Sequence, residues 1–527
     1  MIRVHVFLPL DFDKQIIRER CQERLKWTLA PSLFPQLLRL ALDTSDTSVL
    51  RYKATVTLSL DEKSEAYLID RRRAEPHEEA PFVLPSAKPF QKPPVIVGLG
   101  PCGLFAALIL AECGACPVIL ERGYDVDSRV KAVEHFFHGG NLDEENNIQF
   151  GEGGAGSFSD GKLKSGNMTA DKRWILEKLV WAGAPERILY DAEAHIGTDL
   201  LRGIVKKIRQ RIEALGGRVI FGAKAEDILF KEHAVRGVTY RQNGISTEIE
   251  TDALLLATGH SARDVFRMLD SHHIPLEPKG FGIGVRIEHP REHIDRMIYG
   301  HNKPEGLGAA SYHLVTHLPN GRSVYSFCMC PGGSVVAATS LEGCVVTNGM
   351  SLHARNGENS NAAFLVSVTP NDFGNSPLGG LAFQETYERL AFDISKDYRA
   401  PAIRMEDFLA ERVSTSLGDV NPTYQRGIVL SELNGCLPAF AIESLRAAIP
   451  EFDAYKKGFY LPDAILTGVE TRTTSPIRIL RDESGQSVKG LYPCGEGAGY
   501  AGGIISSAAD GILAAKRLIQ RQYSEAF

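Results

Sequence analysis

Short, fully apolar runs alternate with glycine-rich turns and helical segments along much of the chain. Val95–Val97 and Val118–Leu120 contain no polar residue, which is typical of strands buried on both faces of a parallel sheet. Leu104–Glu112 lies between them, and its Ala and Leu content predicts a helix. Ala253–Leu256 predicts a further buried strand, and Ser506–Gln520 predicts a final helix. This alternation predicts an α/β fold.

A smaller unit precedes the first of these buried strands. The elements predicted within it are strands at Ile2–Pro9, Val49–Leu60 and Ala66–Asp70 and helices at Lys14–Leu29 and Pro35–Leu42. They predict a small N-terminal α/β domain, ferredoxin-like in type, over residues 1–90. Five prolines between Pro81 and Pro94 predict an extended linker, after which the larger domain begins.

A glycine motif follows the strand Val95–Val97 directly. Gly98, Gly100 and Gly103 fit G-x-G-x-x-G, and the motif stands between a strand and a helix, with Glu121 about twenty residues further on. The glycines allow a tight turn, close approach of a pyrophosphate and close packing of the helix on the sheet. The helix N-terminus favours phosphate, and the Glu121 carboxylate suits a ribose diol. The motif predicts a site for FAD or NAD.

Two later glycine-rich stretches favour FAD over NAD. Gly151–Lys162 holds five glycines in its first eleven residues, which leaves backbone N–H groups open to a planar ring or a phosphate; a surface loop is the alternative interpretation. Ala257–Gly259 ends a later strand, and Gly495–Ile504 precedes the final helix. A site closed by both ends of one domain is typical of FAD. It also predicts that Glu496 binds the ribityl chain.

These motifs predict a domain layout and a set of cofactor contacts. The Rossmann-like FAD-binding domain comprises residues 91–279 and 467–527, and residues 280–466 form an inserted, mixed α+β substrate or cap domain. The predicted FAD-binding residues are Gly98, Gly100, Pro101, Cys102, Gly103, Glu121, Arg122, Gly153, Gly154, Ala155, Gly156, Ser157, Ala257, Thr258, Gly259, Gly495, Glu496, Gly502, Gly503 and Ile504.

The nine cysteines are scattered, which fits reduced thiols better than a disulfide framework. Cys113 and Cys116 form a C-x-x-C that ends a helix, so a turn is favoured over a redox role. Cys328 and Cys330 form a C-x-C, for which packing is favoured over catalysis. No cysteine lies between Cys116 and Cys328, where related disulfide reductases carry their pair, and this disfavours a dithiol mechanism. No cluster has zinc spacing, and no metal is expected.

Composition narrows the function classes. The net charge of −6 offers no global attraction for nucleic acid or anionic membrane. The most apolar window, 95–120, belongs to the glycine motif and is not a membrane span. The first residues show no signal peptide, so a cytoplasmic protein with a small-molecule substrate is expected.

Longer motifs carry a family resemblance. GLGPCGLFAAL, NIQFGEGGAGSFSDGKL, GVETRTTSP and CGEGAGYAGGIISSAADG resemble the bacterial uncharacterised FAD-dependent dehydrogenase family, within the glutathione-reductase-like two-dinucleotide-binding-domain flavoproteins. The resemblance covers nearly the whole chain. It implies FAD held by Gly98–Gly103, Glu121 and residues 495–504, with the inserted domain over the isoalloxazine. Glu496 departs from the Asp of most relatives in the wider fold.

The resulting hypothesis is an enzyme, an FAD-dependent oxidoreductase. Hydride would pass through flavin N5 between a small-molecule substrate and a nicotinamide, NAD(P)H, or another acceptor. Arg472 and Arg286 are the candidate anion anchors, and Tyr500, Glu288 and His289 are candidate acid–base groups; a structural ion pair or a packing role is the alternative for each.

Two alternative functions stay open. One is a flavin monooxygenase or oxidase, which differs in how the reduced flavin meets O₂. The other is a flavin-dependent RNA-binding or RNA-modifying protein that uses residues 1–90 and the basic run Arg71–Arg73. The acidic balance weighs against nucleic acid, and the oligomeric state is left open.

Overall fold

A computed structural model of the chain describes residues 1–163, 166–301 and 303–524. Residues 164, 165, 302 and 525–527 fall inside the predicted domain ranges but lie outside the described residues. Within the described part, no helix combines the length and apolar character that a bilayer crossing requires.

The N-terminal domain has the element order strand, helix, strand, strand, helix, strand. Its antiparallel sheet is arranged, edge to edge, as Gln36–Asp43, Arg51–Leu58, Ile2–Leu8 and Glu75–Pro76, with helices at Lys14–Leu25 and Glu62–Asp70. This order is that of a ferredoxin-like fold. Ile2–Leu8 alternates strictly between buried and exposed residues, because one face packs on the helices and the other meets solvent.

Two elements of this domain differ from prediction. Residues 36–43 form a strand instead of a helix, because pairing with Arg51–Leu58 overrides the helical preference of their Leu and Ala. Residues 66–70 belong to the helix Glu62–Asp70 instead of a strand. The side chain of Asp61 accepts a hydrogen bond from the Ser64 backbone N–H and starts that helix, a capping signal that the apolar pattern does not include.

The parallel sheet forms the centre of the second domain. Its five strands lie in the order Leu491–Pro493, Leu254–Leu256, Val95–Val97, Val118–Glu121 and Arg218–Phe221, all parallel. Alternate residues of one strand face two different cores: Ile96 packs beneath the helices, while Val95 and Val97 pack on the opposite side. Burial on both faces explains why the strands Val95–Val97 and Leu254–Leu256 contain no polar residue.

Helices and a meander surround the parallel sheet. The helices are Pro101–Glu112, Val126–Phe137, Ala170–Ala182, Thr198–Ala214, Arg263–Ser271 and Ile504–Ser524, with short 3₁₀ turns at Gly154–Phe158 and Glu186–Leu189. The meander consists of Lys224–Lys231, Ala234–Gln242 and Ile245–Glu250. The final helix packs closely on the helix Pro101–Glu112, since a Cβ at Gly511 would lie 2.2 Å from the carbonyl oxygen of Cys102.

The cap sheet has seven strands and is largely antiparallel. Its order is Val315–His317, Ser323–Cys330, Asn359–Val368, Phe281–Pro290, Ile465–Glu470, Ala400–Arg404 and Ile428–Leu430. The helices around it are Arg291–Tyr299, Pro370–Phe373, Gly379–Ser395, Met405–Leu409 and Ala439–Tyr455, with a 3₁₀ turn at Leu433–Gly435. Because Ile465–Glu470 pairs within this sheet, the chain leaves it after Glu470, not after residue 466.

Two small ribbons complete the described structure. Ser334–Ala337 pairs with Thr347–Met350 beside the cap sheet, and Leu276–Pro278 pairs with Ile477–Ile479. The second ribbon joins the two chain segments that enter and leave the cap.

The N-terminal domain is attached to the parallel-sheet domain through its edge strand. Leu40 donates its N–H to the carbonyl of Tyr190 at 2.7 Å and accepts the N–H of Ala192 at 2.8 Å. Along the linker, the ring of Phe82 stacks on Trp174 at 4.7 Å between centroids. The linker therefore lies against the second domain.

Candidate functional site

A large cleft lies between the parallel sheet and the cap sheet. It contains about 1620 Å³ of atom-free space, which includes its opening to solvent. One wall is built from the ends of Val95–Val97 and Val118–Glu121, and the other contains Cys328 and Glu470 of the cap sheet. Residues of both domains therefore face the same cleft.

The glycine motif shapes the first wall by close backbone contacts. Gly98 has a φ of +102°, and a Cβ there would lie 2.4 Å from the carbonyl oxygen of Ala257. A Cβ at Gly103 would lie 1.9 Å from the carbonyl oxygen of Gly98, so only glycine lets the helix pack this closely on the turn. Gly154 faces Gly100 across the cleft wall, and a Cβ there would lie 2.9 Å from the Gly100 Cα.

The Glu121 carboxylate accepts hydrogen bonds from three turns of this wall. Oε2 accepts the N–H of Leu99 at 2.8 Å, and Oε1 accepts the N–H groups of Gly123 and Gly151, each at 2.9 Å. Glu121 is buried and also lines the cleft. Its position is therefore fixed by the backbone.

Two helices begin at the cleft. Pro101–Glu112 starts after Gly100, with proline at its first position, and Ile504–Ser524 starts after Gly503, whose carbonyl accepts the N–H of Ser507. Gly100, Gly503 and Ile504 all line the cleft. Both helices present the positive end of their dipoles there, which favours phosphate groups.

Glu496 lies in the turn before the final helix. Burial raises the pKa of its carboxyl to about 7; Lys279 opposes this rise, Cys328 adds to it and a hydrogen bond from the Gly503 N–H opposes it. The turn thus brings a carboxyl that titrates near neutral pH to the cleft.

Most of the predicted cofactor residues line the cleft. They are Gly98, Gly100, Pro101, Cys102, Glu121, Arg122, Gly154, Ala155, Gly156, Ala257, Thr258, Gly259, Glu496, Gly503 and Ile504. Gly103, Gly153, Ser157, Gly495 and Gly502 do not line it. Gly103 and Gly153 allow close packing behind the wall, Ser157 is buried, and Gly502 is exposed at the start of the final helix.

Arg286 is not an anion anchor in the cleft, which corrects the first of the catalytic assignments. Its guanidinium is completely buried behind the cap wall, and its donors are engaged by Glu470 at 3.2 Å, by the Cys328 carbonyl at 3.0 Å and by Asn361. Arg286 forms a structural ion pair with Glu470, which was the alternative interpretation of this residue.

Arg472 does line the cleft, but its guanidinium is already bound. Glu388 accepts Nε at 3.0 Å and Nη2 at 2.8 Å, and the hydroxyls of Ser261 and Ser340 accept Nη1. Burial acts to raise the pKa of Glu388, but Arg263 and Arg472 outweigh it and hold that pKa at about 2. Arg472 therefore serves first to compensate a buried charge.

The three acid–base candidates also lie away from the cleft lining. Glu288 is fully buried within the cap and accepts hydrogen bonds from Thr423 and Asn359. His289 is also fully buried, and its Nε2 lies 2.9 Å from the carbonyl oxygen of Phe459. Tyr500 is exposed, and the Arg481 guanidinium lies 3.8 Å from its ring centroid. These contacts replace the predicted acid–base roles.

Polar and charged groups to which no role was predicted meet at the cap wall. Asn348, Glu470 and Cys328 of the cap line the cleft. Lys162 also lines it: this residue ends the glycine-rich loop of the parallel-sheet domain, and its ammonium donates to the Met329 carbonyl of the cap strand. Burial raises the pKa of Glu470 to about 7, while Arg286 opposes this rise and Cys328 adds to it. Glu470 is the last residue of the strand Ile465–Glu470 and stands two residues before Arg472, so its place in the motif GVETRTTSP is the sequence signal that could have identified it.

Comparison with known proteins places the chain in a family. Residues 280–473 match the family model described as FAD-dependent protein, C-terminal domain-like. A protein of Clostridium beijerinckii (strain ATCC 51743 / NCIMB 8052), itself described as uncharacterized, is 44% identical over 533 residues, with 99% of both chains covered. The chain belongs to this family of FAD-dependent proteins.

Two solved structures illustrate a distant likeness. Quinol fumarate reductase from E. coli is 15% identical, with 83% of this chain and 71% of that chain covered and a TM-score of 0.37. The glycerol-3-phosphate dehydrogenase of Bacillus halodurans complexed with FAD is 11% identical, with 83% and 65% covered and a TM-score of 0.36. At TM-scores below 0.5 these likenesses carry no argument here.

The residues of the cleft fit the cofactor of the FAD-dependent family. The facing glycines Gly100 and Gly154 leave a cradle that side chains would fill, and two helix N-termini open beside it. Glu121 stands at the end of its strand, where a ribose diol would meet an acceptor, and Glu496 offers a second carboxyl near the final helix. These groups match the diphosphate and the hydroxyls of FAD.

Proposed function

We propose that this FAD-dependent protein is an oxidoreductase, a dehydrogenase or reductase that transfers hydride through flavin N5 between a small-molecule substrate and NAD(P)H or another acceptor. One observation carries the proposal: the glycine wall and the charged cap wall, with Lys162, Glu470 and Cys328, line one continuous cleft. A cofactor held on the first wall would meet its substrate against the second.

FAD, when bound, supplies the two-electron chemistry. The glycine wall binds and orients the cofactor, and the Glu121 carboxylate keeps the three turns in register. On the cap wall, the Lys162 ammonium favours an anionic group. Glu470, with a pKa of about 7, holds or releases a proton at neutral pH, and it takes the acid–base role first considered for Glu288 and His289.

The division of the cleft into a glycine wall and a cap wall also suggests a role for each domain. We infer a glutathione-reductase-type FAD domain, supported by the parallel sheet and the three-stranded meander that connects two of its strands. The cap sheet, entered at Phe281 and left after Glu470, is the substrate domain. A cytoplasmic location is supported by nine cysteines that are all free thiols.

The first test is an anaerobic titration of the purified protein with NADPH and then NADH, followed by the flavin absorbance. Bleaching by either supports a nicotinamide-dependent reductase, and persistence of the yellow colour with both directs the search to other donors. Admission of O₂ then separates the alternatives, because a monooxygenase or oxidase reoxidises rapidly. A protein that neither contains nor takes up FAD contradicts the proposal.

Variants of Glu470 and Glu288 test the assignment of Glu470 as the acid–base group. Glu470→Gln removes the proton that titrates at the cleft, so we expect flavin to stay bound while the pH dependence of turnover between about pH 6 and 8 is lost. Glu288→Gln is the matched control, since Glu288 lies in the adjacent strand but away from the cleft. Equal pH profiles of both variants and the native protein would contradict the role of Glu470.

A further inference from the structure

Two thiols lie together at the cap wall of the cleft. Cys328 lines the cleft and is partly exposed to it, whereas Cys330 is fully buried behind it. The Cys330 thiol donates to the Cys328 carbonyl oxygen at 3.4 Å, and each thiol shifts the pKa of the other, that of Cys328 downward and that of Cys330 upward. The strand pairing is irregular between Phe327 and Cys330.

Cationic groups surround the pair. Lys162 donates to the carbonyl of Met329, the residue between the two cysteines, and Arg286 donates to the Cys328 carbonyl and lies 3.7 Å from the Cys330 sulfur. The hydrogen bond from Cys330, followed by Lys162 and Arg286, lowers the pKa of Cys328 to about 6 despite its burial. Cys328 is therefore a thiolate at neutral pH.

The packing behind Cys330 leaves no space for ordinary side chains. A Cβ at Gly349 would lie 2.1 Å from Nη2 of Arg286 and 2.7 Å from the Cys330 sulfur. A Cβ at Gly333 would lie 3.1 Å from the Cβ of Cys330. Two glycines thus let Arg286 and Cys330 approach each other, so the two thiols sit in a shaped and charged environment and not in a general apolar core.

We propose that Cys328 and Cys330 form a redox-active pair that is reduced by the flavin and in turn reduces a disulfide substrate entering the cleft. This inference rests on the proposed flavin function and names its substrate class. Cys328 is the thiol that meets the substrate, because it faces the cleft and Phe327 beside it is 44% exposed. Cys330 is the resolving thiol.

The electrons and protons of this cycle balance. The Cys328–Cys330 disulfide takes two electrons and the N5 proton from the reduced flavin anion, FADH⁻, which leaves the Cys328 thiolate, the Cys330 thiol and FAD. The Cys328 thiolate then attacks one sulfur of R–S–S–R and expels R–S⁻. The Cys330 thiol loses its proton to solvent as its sulfur attacks Cys328, which expels the second R–S⁻ and restores the disulfide.

The close spacing suits the reduction of the pair by the flavin. A disulfide between residues two apart in the chain closes a small, strained ring, and strained disulfides are the more easily reduced ones. Re-forming this ring requires a substrate disulfide that is itself readily reduced. Cys328 already has a φ of +41°, a conformation that favours glycine, so its backbone departs from regular strand geometry at this point.

The test counts electrons in the full-length FAD-loaded protein. After oxidation with ferricyanide, desalting and anaerobic titration with dithionite, we expect about four electrons per FAD in the native protein and about two in Cys328→Ser and Cys330→Ser. The matched control is the double variant Cys113→Ser, Cys116→Ser, which removes the other closely spaced pair and should still take up about four.

A second readout does not depend on the variants or on bound flavin. N-ethylmaleimide is added together with denaturant, so that it reaches the buried Cys330, after the folded wild-type protein has been oxidised or reduced. Peptide mass spectrometry should show Cys328 and Cys330 blocked after oxidation and labelled after reduction. Uptake of about two electrons by a reducible flavin, with both thiols labelled throughout, overturns the pair but leaves the oxidoreductase proposal intact; absence of FAD binding overturns the latter instead.

Discussion

Arg472 and Glu388 are joined end to end: Nε of Arg472 lies 3.0 Å from Oε1 of Glu388, and Nη2 lies 2.8 Å from Oε2. The same carboxylate also accepts Nη2 of Arg263 at 2.8 Å from each oxygen. All three side chains are buried, so one carboxylate compensates two guanidinium groups between the cleft and the helix Gly379–Ser395. Removing the Glu388 charge would leave the buried guanidinium groups of Arg263 and Arg472 without this counterion.

We therefore expect Glu388→Gln to lower the free energy of unfolding by about 3 kcal/mol, because breaking a buried pair leaves an uncompensated charge. Glu23→Gln, on the helix Lys14–Leu25, is the control: Glu23 and its partner Arg20 are both about half exposed or more, so a loss of about 1 kcal/mol or less is expected. Urea unfolding followed by circular dichroism measures both. Equal losses would mean that the buried network contributes no more than a surface pair.

The flavin-free protein should become less stable as the pH rises from about 4.5 to 7 through Glu496. The folded pKa of about 7 exceeds the ordinary value of 4.5, so the folded state binds the proton more tightly than the unfolded state in this window. Stability therefore falls with rising pH, by at most about 3 kcal/mol for this group. Glu470, whose folded pKa is also about 7, contributes a slope of the same sign, so Glu496→Gln should reduce the slope in thermal melts at pH 5, 6, 7 and 8 without abolishing it.

The exposed Glu483→Gln, in the same C-terminal segment, is the control for Glu496 and should keep the slope of the native protein. If Glu496→Gln and Glu483→Gln melt with the same pH dependence, the Glu496 carboxyl is not protonated in the folded state at pH 6.

Gly154→Ala should abolish FAD binding without unfolding the chain. The new methyl group would lie 2.9 Å from the Gly100 Cα, and the backbone at Gly154 has a φ of +59°. The absorbance ratio at 450 and 280 nm of the purified protein measures the bound flavin. Gly203→Ala, in the helix Thr198–Ala214, meets nothing within 4 Å and should bind FAD normally and gain up to about 1 kcal/mol of stability.

Lys162→Met should raise the pKa of the Cys328 thiol by about 1 unit or more, since a nearby positive charge favours the thiolate. The native thiolate forms as the pH rises through about 6, so the pH profile of iodoacetamide alkylation should move upward in the variant. Lys224→Met removes a lysine from the opposite end of the cleft and should leave the profile unchanged. If the profile is identical in all three proteins, Lys162 does not lower the pKa of the Cys328 thiol.

The glycine wall could be predicted from sequence because it is built from short-range features. Gly98, Gly100 and Gly103 sit within one strand–turn–helix unit, and their spacing alone fixes which backbone atoms approach each other. Fully apolar strands likewise predict burial on both faces without knowledge of their neighbours. The strand order of the parallel sheet needed the structure.

The cap wall could not be predicted in the same way. Lys162, Cys328 and Glu470 are separated by well over a hundred residues, and only strand pairing within the cap sheet and its docking on the parallel-sheet domain bring them together. The absence of cysteines between Cys116 and Cys328 says nothing about thiols that the cap brings to the cleft. For Arg286 the sequence left an anion anchor and a structural ion pair as alternatives, and only the structure shows that this residue pairs with the buried Glu470.

The edge strand at Leu40 joins the N-terminal domain to the parallel-sheet domain. Its two main-chain hydrogen bonds to the 190–192 segment form an isolated parallel bridge across the domain boundary. The Phe82–Trp174 stack adds a contact along the proline-rich linker. If a protease cuts this linker, we therefore expect the two fragments to stay associated through the backbone pairing at Leu40.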